Sequence, residues 1–446
     1  MLLGPASASS AATATPAALP PPRPAPRAWI VLAILGFVYV LNFLDRQLLS
    51  ILAKPIQDDL HVTDGQLGLI SGLYFALFYC LLAIPVGWVA DRSNRVRVLS
   101  FACLLWSAAT VACGLASGYP QLALARMSVG VGEAGGVPPS YAIICDYFPP
   151  GMRGRALSLF NFGPPIGQAL GVAFGASIAA AYDWRLAFIS LGVAGIVAAL
   201  LVWGVVTEPI RGGLDVAAGG AATADRPPAA PFWATCRAFF RDPVLLRVSL
   251  ACGATQFVTY GVLNFTTLFL MREKGMTLRD LAIYYAAMIG IAICGGMYTS
   301  GRLIDRLARR GRTAYAYLPA FGLAVAIPFF LGFVWAPRWP LALALLAVPT
   351  FFNYFYLSPA VALVQEQVRP HERVLAGALL LLVMNLIGLG LGPTFVGAVS
   401  DRLRPTHPDH SLQLAFYALA PFYGVAVLGF LWLARALRPA HLGGRP

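Results

Sequence analysis

The chain has 446 residues, 59% of them hydrophobic and only 11% charged, with a mean hydropathy of +0.72. A water-soluble protein carries about a quarter of its residues as charge, so a soluble enzyme or binding module is excluded. The net charge is +13, yet no stretch free of apolar runs is long enough to present a nucleic-acid surface. The basic residues are therefore read as membrane topology.

In chain order, residues 1–27 are Ala/Pro/Ser-rich without an apolar core, which predicts a disordered cytoplasmic tail rather than a signal peptide. Apolar runs of about 20 residues then recur, each able to cross a hydrocarbon core of about 30 Å. They fall at 29–52, 65–90, 97–116, 120–147, 155–181 and 186–206. After a hydrophilic gap they resume at 243–270, 281–304, 313–335, 340–364, 374–399 and 412–436. The fold class is all-α integral membrane with 12 transmembrane helices. The gap holds the low-complexity run GGLDVAAGGAATADRPPAAP and then PFWATCRAFFRDP. The latter predicts a short interfacial helix with Trp233, Phe239 and Phe240 on one side and Arg237 and Arg241 toward headgroups. The expected organisation is a tail at 1–27, a six-helix bundle at 28–207, a cytoplasmic linker at 208–242, a second bundle at 243–437 and a tail at 438–446.

An even count puts both termini on one face. Placing that face in the cytoplasm puts 22 of the 32 Lys and Arg residues inside and eight outside, with Arg46 and Arg126 within spans. That is a positive-inside pattern. The halves also repeat. Gly87-Trp88-Val89-Ala90-Asp91-Arg92, followed by Arg95, closes the second span, and GRLIDRLARR at 301–310, with Asp305 and Arg306, closes the eighth. The fifth spans match more loosely, FNFGPPIGQALG at 160–171 against MNLIGLGLGPTFVG at 384–397. Two pseudo-symmetric bundles in parallel orientation follow.

Four charges lie inside spans: Asp45 and Arg46 in the first, Arg126 and Glu133 in the fourth. Each costs about 2.5–3.5 kcal/mol at the bilayer centre on the insertion scale, so they should face one another and a wet cavity. Counted at 1.5 Å per residue, Asp45 and Arg126 reach similar depths, and Glu133 sits two turns below Arg126 on the same helix face. A carboxyl at mid-membrane either pairs or takes a proton. Glu133 and Asp45 are thus the proton-coupling candidates, with a purely structural pair between Asp45 and Arg126 as the competing reading. Arg46 and Arg126 suit a phosphate or carboxylate.

The second half has no such charge but is rich in amides, hydroxyls and rings, including TFFNYFY at 350–356. The candidate substrate-binding set is Arg46, Arg126, Asn42, Tyr260, Asn264, Asn353, Tyr354 and Asn385. At the cytoplasmic helix ends, Gly87, Asp91, Arg92, Arg95, Asp146, Arg153, Asp305 and Arg306 are expected to form a conformational latch. In it, arginines bridge to Asp146 and hold the two bundles together on the inside. The two lysines lie in no Gly-Lys-Ser/Thr loop, the five histidines fall in loops and tails, and no CxxC occurs. No nucleotide site, metal, cofactor or enzyme activity is expected.

The Gly87-to-Arg95 run resembles the loop 2–3 signature of the major facilitator superfamily, with Asn94 where glycine is common. Arg126-x-x-x-Gly130-x-Gly132-Glu133-Ala134 and Asn42-x-x-Asp45-Arg46 make the chain resemble the spinster family, strongly in the first six spans and weakly in the last six. The resemblance implies a carrier in which spans one and four line a central cavity. It also implies alternating access and a lysophospholipid or sphingosine-1-phosphate-like substrate, with proton coupling. A proton-linked carrier of a small organic anion and an uncoupled facilitator stay open. The expected partners are substrate, proton and membrane lipids, with no nucleic acid. The expected state is a monomer, in the inner membrane if the source is bacterial.

Overall fold

The structure, a computed structural model, describes residues 24–211, 214, 232–368 and 373–438. Both expected tails, apart from a few residues, and most of the low-complexity linker lie outside the described residues. Twelve long helices make up most of the described residues, with a short helix Ala53–Leu60 after the first. In the first half these are α1 (Pro26–Ile51), α2 (64–92), α3 (Arg95–Gly114), α4 (119–147), α5 (150–181) and α6 (Trp184–Val205). In the second they are α7 (Pro243–Arg272), α8 (Leu278–Arg310), α9 (Ala314–Trp335), α10 (Trp339–Gln367), α11 (373–403) and α12 (Ser411–Leu437).

Local chemistry sets the ends. Pro26 and Pro243 open α1 and α7, where a missing N–H costs nothing. Thr63 and Thr277 start α2 and α8 with matching capping boxes, to Gln66 and Asp280. The side chains of Asn94 and Asp242 cap α3 and α7. Ten of the helices are long and apolar enough to span a membrane by composition alone. The two that fall short are α4 and α7, which carry Arg126 and Glu133 in one case and a row of Thr, Gln, Tyr and Asn in the other. Those polar residues are what lower their hydropathy.

The start of α1 and the end of α12 lie on one face, here called the termini face; α1 ends and α2 begins on the far face. The halves meet along α1/α7, α2/α11 and α5/α8. On α2, the Gly68 and Gly72 backbones press on α11. A methyl on Gly68 would stand 2.5 Å from the Pro393 carbonyl oxygen, and one on Gly72 2.7 Å from that of Gly390. At the other end of α2, Gly87 has nothing within 4 Å of its missing Cβ. The two helices touch at the far face and part toward the termini face, so the molecule is open on the termini side.

Four helices at the inter-half seam are irregular partway along. Turns of π-helix occupy Leu69–Leu73 in α2, Leu281–Tyr285 in α8 and Asn385–Leu391 in α11. In α5 the helix breaks at Asn161 and Phe162, ahead of Gly163, Pro164 and Pro165. Such defects are where a helix can bend. The linker helix Phe232–Arg241 packs on α7 and α11, but its apolar face differs from expectation. Trp233 is 80% exposed and Phe239 only 3%. Six residues at about 100° each put the two about a third of a turn apart around the helix, so Phe239 shares the inward face with Thr235 and Cys236 while Arg237, Phe240 and Arg241 point out.

Candidate functional site

The site begins with two glycines. α4 consists of Tyr119–Glu133 and Val137–Tyr147, broken at Ala134–Gly136. A Cβ on Gly130 would come 2.8 Å from the Phe75 carbonyl oxygen, and one on Gly132 2.6 Å from the Trp106 amide nitrogen. Without side chains there, α4 lies directly on α2 and α3, which turns Arg126 and Glu133 toward α1.

Both carboxylates then find arginines. Arg126 Nη1 donates to Asp45 Oδ2 at 2.8 Å, and Thr110 Oγ1 stands 2.9 Å from Asp45 Oδ1. Both side chains are 2% exposed. Arg46 Nε donates to Glu133 Oε2 at 2.6 Å, and here the arginine keeps 13% of its side chain exposed. The Arg46 guanidinium lies over the rings of Phe43, Phe75 and Tyr79 at 4.8–5.0 Å. Glu133 Oε1 is buried without a partner, as is Asn42 Oδ1. Tyr79 and, from the other half, Tyr260 also interact electrostatically with Arg46.

The four charges expected on one wall are therefore together, but the pairs differ in kind. The Asp45–Arg126 pair is sealed from solvent, although Arg126 Nε has no partner, and its burial favours the structural reading over an anion site at Arg126. The Arg46–Glu133 pair has one accessible partner and one spare oxygen.

In the second half, α10 breaks at Asn353, after Trp339–Phe352. Asn353 Nδ2 donates to the Tyr423 hydroxyl at 3.0 Å while its Oδ1 has no partner. Gln256 Nε2 donates to the Tyr356 hydroxyl at 3.0 Å. Tyr354 reaches across the seam to Gln168 Oε1 at 3.5 Å. Asn264 spends its amide on the Tyr260 carbonyl of its own helix. Asn385 is partly buried and opens the π turn of α11. The aromatic run at 350–356 mostly faces its own half: Phe351 covers Gly295 and Gly296, and Phe352 and Phe355 cover Gly322. Those rings are helix packing, which leaves Tyr354 of this run at the seam, with Tyr260 of α7.

The expected latch is corrected. Arg95 Nη1 donates to Asp146 Oδ2 at 2.7 Å, but this joins α3 to α4 inside the first half. Arg153 Nε donates to the carbonyls of Cys145 and Phe148 at the end of α4, at 2.7 and 3.1 Å. Arg92 is exposed and stacks on Trp88 at 4.1 Å. Asp305 and Arg306 are exposed, and the side chain of Asp91 lies outside the described residues. The described bonds of Arg95, Asp146 and Arg153 thus tie elements of the first half to one another. The second half repeats the internal tie with different chemistry, the Tyr315 hydroxyl donating to Glu366 Oε1 at 2.5 Å. In both ties the partners are 51 residues apart.

Charged side chains do join the halves at the far face, and sequence reasoning missed them. Asp64 of α2 meets Arg272 of α7, and Asp401 of α11 meets the first amides of α2. A signal was present, since Gly397-Ala-Val-Ser-Asp401-Arg402 is a third copy of the Gly-x-x-x-Asp-Arg pattern.

Twelve helices in two repeated halves, open on one face and closed on the other around embedded ion pairs, are the build of a gradient-driven membrane transporter. The model of the Major Facilitator Superfamily matches residues 35–335, and the chain belongs to that superfamily. Within it, the chain is a multi-pass transporter of the spinster type. It is 29% identical over 408 residues to human protein spinster homolog 1, covering 87% of this chain and 76% of that one. The structure of a bacterial homolog of the human lysosomal transporter spinster, in an inward-facing and unoccupied conformation, superposes with a TM-score of 0.83 at 29% identity, covering 92% and 98% of the two chains. The chain is also 32% identical over 411 residues to an MFS-type efflux pump of Mycolicibacterium smegmatis, covering 92% and 93%.

Proposed function

We propose that this transporter moves an amphipathic anionic or zwitterionic lipid, a lysophospholipid or a sphingosine-1-phosphate-like molecule, together with a proton. The observation that carries the reading is the Arg46–Glu133 pair: an aromatic-lined guanidinium, part exposed, tied to a buried carboxylate with one oxygen unpartnered. A substrate phosphate or carboxylate competes with Glu133 for Arg46. Once displaced, Glu133 is a buried charge without a partner, a state costing several kcal/mol, and taking up a proton removes that cost. Substrate and proton then bind together, and loss of the proton restores the ion pair and ejects the anion. With the termini face in the cytoplasm, as the charge bias favours, the conformation is inward-open.

The rings of Phe43, Phe75 and Tyr79 around Arg46, with Tyr260 and Tyr354 opposite, favour a substrate with an apolar portion beside its charge. The test is uptake by the reconstituted protein of labelled lysophospholipid, sphingosine-1-phosphate and a small organic acid, with and without a pH gradient. Lipid uptake enhanced by the gradient supports the proposal; uptake of the acid with neither lipid moving overturns it.

A further inference from the structure

The far face is shut by a cluster of bonds, most of which run between the halves. Asp401 places Oδ1 2.9 Å from the Asp64 amide and Oδ2 2.8 Å from that of Gly65, so one carboxylate holds the first two N–H groups of α2. An anion there also meets the positive end of the helix dipole. Gly397 makes the approach possible, because the Asp64 carbonyl occupies the space a side chain would need.

The Asp64 carboxylate turns the other way, to α7 and α11. Arg272 Nη1 and Nη2 donate to it at 3.0 and 2.9 Å, Ser400 Oγ at 2.6 Å and Gln57 Nε2 at 2.6 Å. Its side chain is 0% exposed and that of Arg272 14%. One tier nearer the ion pairs, Ser50 Oγ of α1 donates to the Asn264 carbonyl of α7 at 2.9 Å and lies 3.2 Å from Thr267 Oγ1.

We propose that this cluster is the lock that holds the far face closed, and that its key is Asp401, supplied by the third Gly-x-x-x-Asp-Arg turn. The same pattern ends three helices, and its glycines differ in what they meet. At the termini face Gly87 meets nothing within 4 Å and Gly301 only the Ser358 hydroxyl at 3.9 Å, whereas Gly397 is pressed against Asp64 and Gly65. A rotation of the halves that opens the far face has to break the Asp401, Arg272 and Ser400 bonds together. Their combined strength therefore sets how far the resting molecule favours this conformation. The proposal rests on the transporter class alone and not on the lipid or the proton role of Glu133.

The test is amide hydrogen exchange of the full-length protein in lipid nanodiscs without substrate, comparing wild type with D401N, R272Q and S400A. Removing a charge-assisted bond from the lock should speed exchange at residues 64–68 and 263–272 by roughly tenfold or more in D401N and R272Q. It should slow exchange at the termini-face ends of α5, α8 and α11, which close as the far face opens. S400A, which deletes a single hydroxyl, should give a smaller change of the same pattern and keeps the test alive if the charge variants fold poorly. D409N, an exposed carboxylate on the same face, should match wild type. Unchanged exchange at residues 64–68 in D401N, or faster exchange on both faces at once, overturns the lock.

Discussion

Glu133 and Asn353 are counterparts. Glu133 closes the first segment of α4 and Asn353 caps the first segment of α10, each at the break that follows. One half puts a carboxylate at that point, held by Arg46; the other puts a neutral amide, held by the hydroxyl of Tyr423. The scaffold is duplicated and the charge is not.

That difference predicts an asymmetric response to carboxylates. N353D places an acid at the equivalent break, where the observed neighbour is a phenol and no arginine. A buried charge without a cation costs about 3–5 kcal/mol, so the thermal midpoint in detergent should fall sharply, whereas N353L, losing one hydrogen bond, should cost about 1 kcal/mol.

The closed pair should behave as structure. D45N or R126Q alone leaves a fully buried partner uncompensated, about 3–5 kcal/mol, and the double variant should recover most of that loss. Thermal unfolding of the two singles and the double measures the coupling directly.

Arg46 should report on substrate rather than on stability. R46K keeps the charge but loses the planar fork that stacks on Phe43, Phe75 and Tyr79. KM should rise by roughly tenfold or more with the thermal midpoint nearly unchanged, as read by uptake kinetics.

The far face should carry a pH dependence of its own. Glu273, just past α7, has its carboxyl pushed above the usual range by burial, against the pull of the Leu412 and Gln413 amides and of Arg272. A raised value means its contribution to stability is full below the ordinary glutamate range and is lost as pH rises through the raised value. As pH rises from the ordinary glutamate range, the wild-type midpoint should therefore fall relative to that of E273Q.

Much of the fold could be read from the chain because the bilayer demands runs of a fixed length, and each observed helix overlaps an expected span closely. The embedded charges could be read for the same reason: Asp45, Arg46, Arg126 and Glu133 are too costly to stand alone, and they do pair. What could not be read is who pairs with whom and in which state. Asp64, Arg272 and Asp401 sit at helix ends, where polar residues are ordinary, and their meeting across 208 or more positions depends on how the halves are tilted. Arg95 and Asp146 looked like a bridge between halves because both end at the same face, but helix packing puts them in one half. Phe239 and the rings at 350–356 were apolar as expected and faced inward, which a count of aromatics does not reveal.

The proton role of Glu133 is tested most directly by accumulation against exchange. In proteoliposomes with an imposed pH gradient, wild type should concentrate labelled substrate above equilibrium. E133Q, with a neutral amide that has no proton to give up, should still exchange internal for external substrate but reach only equal concentrations on the two sides. If E133Q concentrates substrate under the gradient as wild type does, Glu133 does not carry the proton and the coupling proposed for the Arg46–Glu133 pair is wrong.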